Sequence, residues 1–270
     1  MFNEKQNPFG ITIINLNTQR ELISTVHKHE MRGGSELLVR TVDVPRDWND
    51  VDELARCVIG NETQVKEYIT DHHTEGCDSF SGLYLCEIQG SSIEENAHPA
   101  QLKILGQRFD SFYVHSSGSY ADSYFGQMIS DILLRRCIPG IDFCHIRELL
   151  QGAGEVKEIS FSCVGEHRID DSLNLLTKEL SRLDDVKRLF VTAVAHVFNP
   201  GEVSLITEKL SVNLDVGFMA STCYTNDKLN SDELQIICLY SLEERFTDAD
   251  DKFSELIVSK QSGPLPNYKS

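Results

Sequence analysis

The sequence predicts an α/β protein in which strands and helices alternate around a mixed sheet, and three observations carry that prediction. Short apolar runs rich in β-branched residues, such as GITIINL (Gly10 to Leu16), precede segments whose apolar residues recur at helical spacing. The stretch KRLFVTAVAHV (Lys187 to Val197) is nearly continuously apolar, as a strand is when both faces of its sheet are covered. A helical pattern from Tyr120 to Cys137 stops at Ile138-Pro139-Gly140, where both proline and glycine break a helix.

Taken in order, Gly10 to Leu16 is the first strand. Thr18 to His29 follows as a helix, because Leu22, Ile23 and Val26 fall at helical spacing. Leu37 to Val44 alternates as a second strand, Val51 to Cys57 and Gln64 to Thr70 are expected as short helices, and Gly82 to Ile88 is a third strand. Gln89 to Pro99 is polar and turn-rich, hence a loop, and Phe109 to His115 is a fourth strand. In the second half, Ile159 to Cys163 is a strand. Ile169, Leu173, Leu176, Leu180 and Leu183 then mark an amphipathic helix whose first turn carries Asp170 and Asp171, where the helix dipole favours acids. The strand Lys187 to Val197, a helix over Gly201 to Val212 and strands at Asp215 to Cys223 and Leu234 to Tyr240 complete the order β-α-β-α-β-β. Thr247 to Lys260 places Phe253, Leu256 and Ile257 on one helical face, and the chain ends in the Pro-containing stretch SGPLPNYKS.

Composition narrows the function classes. At 270 residues the chain suggests about two domains, and 40% hydrophobic with 25% charged residues is an ordinary globular balance that excludes global disorder. A formal net charge of −17 repels phosphate backbones and anionic headgroups, so neither nucleic acid nor a membrane surface is an expected partner. The eight cysteines stand singly, without the close pairs of a zinc knuckle or redox motif, which favours a reducing compartment. The start MFNEKQNPFG lacks the basic and apolar regions of a secretory signal, and no apolar run approaches a membrane span, so a cytoplasmic location is expected.

Five segments in the second half carry a family resemblance. PGIDFCHIREL (Pro139 to Leu149), VGEHRIDDSL (Val164 to Leu173), the strand Arg188 to Val197, VGFMAST and LQIICLYS resemble, in order and spacing, the synergy loop and C-terminal domain of FtsZ, the bacterial tubulin homologue. The resemblance implies a degenerate Rossmann-like N-terminal domain over residues 1–116 and a central helix with a synergy-type loop over 117–154. It further implies a smaller α+β domain with a mixed four-stranded sheet over 155–243, and a tail over 244–270. In that family GTP sits on glycine-rich turns, because only a residue without Cβ lets backbone N–H groups close round phosphate oxygens. Here NLNTQREL (Asn15 to Leu22) and QGSSIEEN (Gln89 to Asn96) stand where those turns belong, and no Walker A or dinucleotide fingerprint is present. In the synergy loop, Gly140 and His145 replace the asparagine and second acid that position the attacking water, leaving Asp142.

The expectation is therefore a non-hydrolysing FtsZ/tubulin-like protein, not an enzyme, with no cofactor and no metal. It would contact an FtsZ-type subunit or its own copies through Asp142, Phe143 and His145. Asp142 reads equally well as the helix cap of Phe143 to Leu150. Two further classes stay open: a scaffold unrelated to filaments, and a metal- or thiol-dependent enzyme on Asp71-His72-His73-Cys77 or on Cys144-His145. Against the last stands the divergence of neighbouring side chains on helices and strands. His167 reads as a surface residue and His196 as a satisfied, half-buried histidine.

Overall fold

The computed structural model describes residues 7–17, 25–31, 35–43, 48–72, 80–89, 99–115, 123–183, 185–213 and 216–242. Among the described residues ten strands form one continuous sheet in the order β2-β3-β1-β4-β5-β6-β7-β10-β8-β9. The strands are β1 (Phe9–Asn15), β2 (Thr25–Glu30), β3 (Glu36–Val42), β4 (Asp52–Gly60), β5 (Leu83–Ile88), β6 (Ser111–Val114), β7 (Gly154–Val164), β8 (Arg188–Ala195), β9 (Phe218–Thr225) and β10 (Glu233–Ser241). The helices are α1 (Glu62–Asp71), α2 (Pro99–Arg108), α3 (Tyr124–Leu134), α4 (Phe143–Leu150), α5 (Arg168–Leu180) and α6 (Pro200–Asn213).

β3, β1, β4, β5, β6 and the start of β7 run parallel. A sheet of that kind is buried on both faces, which is why LYLCEI in β5 is buried at all six positions, glutamate included. In the C-terminal part of this sheet, β10 is antiparallel to both β7 and β8, and β8 is parallel to β9. The last two described strands, β9 and β10, are not neighbours, because β10 enters between β7 and β8. β7 joins the two halves, since Val156 pairs with Tyr113 of β6 and with Ser241 of β10. One core gathers Ile11, Leu85, Phe125, Ile129, Leu149 and Phe190, and a second gathers Leu173, Leu176, Leu189, Ile206, Ile236 and Cys238 around α5 and α6.

Two helix expectations are corrected. Within Thr18 to His29 the described residues from Thr25 onward form the antiparallel edge strand β2, exposed at every position, so backbone pairing with β3 rather than apolar burial holds it. Val51 to Cys57 is not helical but runs into β4, whose Ala55, Cys57, Val58 and Ile59 are all buried. A strand covered on both faces loses its alternation, and its apolar residues then mimic helical spacing. The stretch after Pro99, given no element from sequence, is α2. The tail helix and most of Gln89 to Pro99 lie outside the described residues.

Candidate functional site

In an open α/β sheet, ligands sit in the crevice beyond the carboxyl ends of the parallel strands. At this edge, side-chain amides bond to one another. Asn17 Nδ2 donates to Gln89 Oε1 at 2.9 Å, tying the turn after β1 to the residue after β5. Gln64 Nε2 of α1 donates to the Leu16 carbonyl at 2.7 Å, and the Asn17 amide donates to Asn15 Oδ1 at 3.0 Å. Gln89 is buried, and its own N–H donates to the Gly60 carbonyl at 2.9 Å. Gly60 admits this closure, since a Cβ there would stand 3.1 Å from the Leu16 side chain.

Helix N-termini at such an edge are ready anion sites, and here the chain occupies them itself. Asn61 and Gln64 form a reciprocal capping box on α1. At α3, Ser123 Oγ accepts from Gly126 N at 2.9 Å, while the buried carboxylate of Glu87 takes the preceding amides: Phe125 N on Oε1 and Tyr124 N on Oε2, both at 2.9 Å. Ser123 Oγ donates to Glu87 Oε1 at 2.5 Å, and His115 Nε2 lies 3.1 Å from Oε2. An internal anion thus sits where the α3 dipole would hold an external one. Glu87 carries the strongest polar cluster of this half, and sequence reading missed it; a glutamate inside the apolar run LYLCEI is the signal that marks it, because a buried charge requires partners.

α3 then carries the chain about 16 Å away at 1.5 Å per residue. There Ile138 and Cys223 exchange N–H···O bonds at 2.8 Å, and Thr222 Oγ1 donates to the Pro139 carbonyl at 2.9 Å, fixing the loop on β9. Asp142 is the N-cap of α4. Its Oδ1 accepts from Cys144 N at 3.1 Å and His145 N at 3.4 Å, and a capping box with His145 is complete. The same Oδ1 lies 2.7 Å from Cys144 Sγ and 2.7 Å from His145 Nδ1. These bonds, the thiol's first and then the imidazole's, hold the Asp142 carboxyl below its ordinary value, and the carboxylate in turn pushes the Cys144 thiol up. Of the three expected interaction residues, Asp142 is exposed and His145 half-exposed, whereas Phe143 packs against the first core. Cys144 and His145 do not bond each other but meet through Asp142.

Between α3 and the open face of the C-terminal strands lies a groove of about 230 Å³, lined by Tyr124, Met128, Asp131, Glu158, Phe190 and Tyr224 among others. Burial foremost, and then Glu158, raises the Tyr124 phenol well above its ordinary range. His72 closes α1 as its C-cap, while His73 and Cys77 lie outside the described residues. His167 is exposed, as expected. His196 departs from expectation: it is half-buried, but its Nδ1 has no hydrogen-bond partner among the described residues. No helix of the described chain is long and apolar enough to cross a membrane.

No protein-family model and no curated protein matches the sequence. Among solved structures, an FtsZ dimer from M. jannaschii matches at TM-score 0.52 and 11% identity, over 71% of this chain and 64% of that one. A point variant of the same FtsZ matches at TM-score 0.51 and 11% identity, over 71% and 66%. CetZ2 from Haloferax volcanii, a protofilament with bound GTPγS, matches at TM-score 0.48 and 11% identity, over 78% and 72%. The chain spans about two thirds of the FtsZ chains it matches. The two FtsZ likenesses define the class by fold: the chain has the FtsZ/tubulin fold. Identity near a tenth extends that statement to architecture alone.

Proposed function

We propose that this chain is a non-hydrolysing FtsZ/tubulin-like protein that acts through protein–protein contacts, with an FtsZ-type subunit or with its own copies. The observation that carries the reading is the occupied crevice. Asn17, Gln64 and Gln89 are bonded where phosphate would lie, and Glu87 takes the first amides of α3. A triphosphate entering there would have to displace a buried carboxylate of its own sign, and would forgo charge-assisted bonds worth roughly 1.5–3 kcal/mol each. The loop at the far end of α3 keeps an exposed surface: Asp142, Cys144 and Ile138, the last 52% exposed. A chain with a closed pocket and an intact loop surface can join a head-to-tail assembly through one face only, which caps or tunes growth.

Two measurements test this. Calorimetry with GTP and a phosphate-release assay are expected to show neither tight binding nor turnover that scales with protein concentration; either result reverses the proposal. FtsZ polymerisation followed by light scattering, with substoichiometric protein added, is expected to change in extent or rate. Identical curves, together with a monomeric chain in sedimentation, would remove the assembly role and leave the unrelated scaffold.

A further inference from the structure

Three donors of different chemistry converge at the start of α4. An Asp142 carboxylate oxygen, Cys144 Sγ and His145 Nδ1 all lie within 4.8 Å of one another. We propose that they form a zinc-class metal site with one open coordination position. Thiolate, imidazole and carboxylate together are the donor set that suits a borderline ion such as Zn²⁺, and three protein ligands plus water are the pattern of an open site.

The frame is rigid although the donors are at the surface. Ile146, Leu149 and Leu150 of α4 are buried, and the Ile138–Cys223 pairing anchors the incoming loop. The Asp142 carboxylate makes all its hydrogen bonds through Oδ1, and Oδ2 has no partner among the described residues. A metal on Oδ2 and Nδ1 therefore leaves the two backbone bonds to Oδ1 in place and replaces the 3.4 Å bond from the Asp142 amide to Nδ1. In a tetrahedral site with ordinary zinc bond lengths the donors stand about 3.3–3.6 Å apart, inside the 4.8 Å that spans the three groups here, so a modest adjustment brings them to it. Exposed side chains on a fixed backbone make that adjustment by small rotations. The thiol proton now directed at Asp142 is what the ion replaces at Cys144, which loses it to solvent and binds as thiolate, while Nδ1 binds through its lone pair with the ring proton on Nε2. One thiolate and one carboxylate neutralise a divalent ion, and a chain of net charge −17 attracts it.

The proposal concerns metal binding and stands apart from the assembly reading, so its test uses no filament. Full-length protein freed of metal by chelator is titrated with Co²⁺ and then Zn²⁺. The expected result is one equivalent of cobalt with a near-ultraviolet thiolate-to-cobalt absorption, abolished by zinc, with proton release that calorimetry in two buffers detects. Cys144→Ser is expected to abolish that absorption with an unchanged circular dichroism spectrum, because the Asp142 cap does not need the thiol. His145→Gln is expected to weaken zinc by at least the roughly 10- to 100-fold that loss of even an outer-shell partner costs. Absence of the thiolate absorption in the wild type, or its persistence in Cys144→Ser, overturns the site. So does its loss on Cys77→Ser alone.

Discussion

Replacing Glu87 tests whether the chain itself supplies the anion at the α3 N-terminus. The carboxylate is fully buried and serves four donors: Ser123 Oγ, the Tyr124 and Phe125 amides, and the His115 ring. In Glu87→Ala the two backbone N–H groups lose their acceptor, at about 1–3 kcal/mol each. The helix end also loses its countercharge, worth up to about 2 kcal/mol in a buried setting. With some water entering the space, the loss is expected at about 3–5 kcal/mol, the range for breaking a buried charge cluster. At about 2–4 °C per kcal/mol for a chain of this size, Tm falls by roughly 6–20 °C. Glu87→Gln is the sharper variant. Each carboxylate oxygen accepts from a backbone amide, Oε1 from Phe125 and Oε2 from Tyr124, so either orientation of the new amide sets its NH₂ against an N–H. It is expected to cost about 1.5–3 kcal/mol, the worth of a hydrogen bond to a charged group. The assay is thermal melting with amide hydrogen exchange, and Tyr124 and Phe125 should exchange faster while β10 amides keep their protection. Both variants melting like wild type, with unchanged exchange at Tyr124, would refute the argument.

Arg168, buried at the head of α5, donates to the Ser231, Glu233 and Val197 carbonyls and to Glu202, so Arg168→Ala should lower stability by about 3–5 kcal/mol in urea denaturation, and Arg168→Lys, lacking the planar fork, should recover little of it. Leu176→Asp places an unpaired carboxylate in the second core, where Leu176 is 1% exposed; proteolysis should show the C-terminal half unfolded, and melting like wild type would remove the packing assigned to α5. Asp142→Ala removes the α4 cap and should cost about 0.5–2 kcal/mol at neutral pH. Because the Asp142 carboxyl is held below its ordinary 3.8, its contribution is present above that value and is lost as pH falls through the lower folded-state value, so the gap between Asp142→Ala and wild type in urea midpoints should close in that acid range.

The elements legible in the sequence are those whose burial is periodic or continuous. α5 shows its apolar stripe, Leu173 to Leu180, because one face meets the sheet and the other meets water. β8 shows an apolar run because both its faces are covered. β2 has neither signal: TVHKHE is exposed throughout, and its pairing with β3 is a property of the backbone, to which side-chain pattern is silent. The same division runs through the candidate site. Asp142 as the cap of Phe143 to Leu150 was legible, since an acid just before a helical apolar pattern has one local use. The convergence of Cys144 and His145 was not. Neighbours diverge along a helix, but at the first turn a capping carboxylate offers one oxygen to both, and that depends on the N-cap conformation rather than on spacing. Glu87 lies 36 to 38 residues from Ser123, Tyr124 and Phe125, so its partners follow only from the order of strands in the sheet. The missing glycine turns suggested that phosphate is not held here. What stands in their place, a closed set of amides and one inward carboxylate, is a tertiary fact that side-chain pattern does not carry, since its members come from β1, α1 and β5.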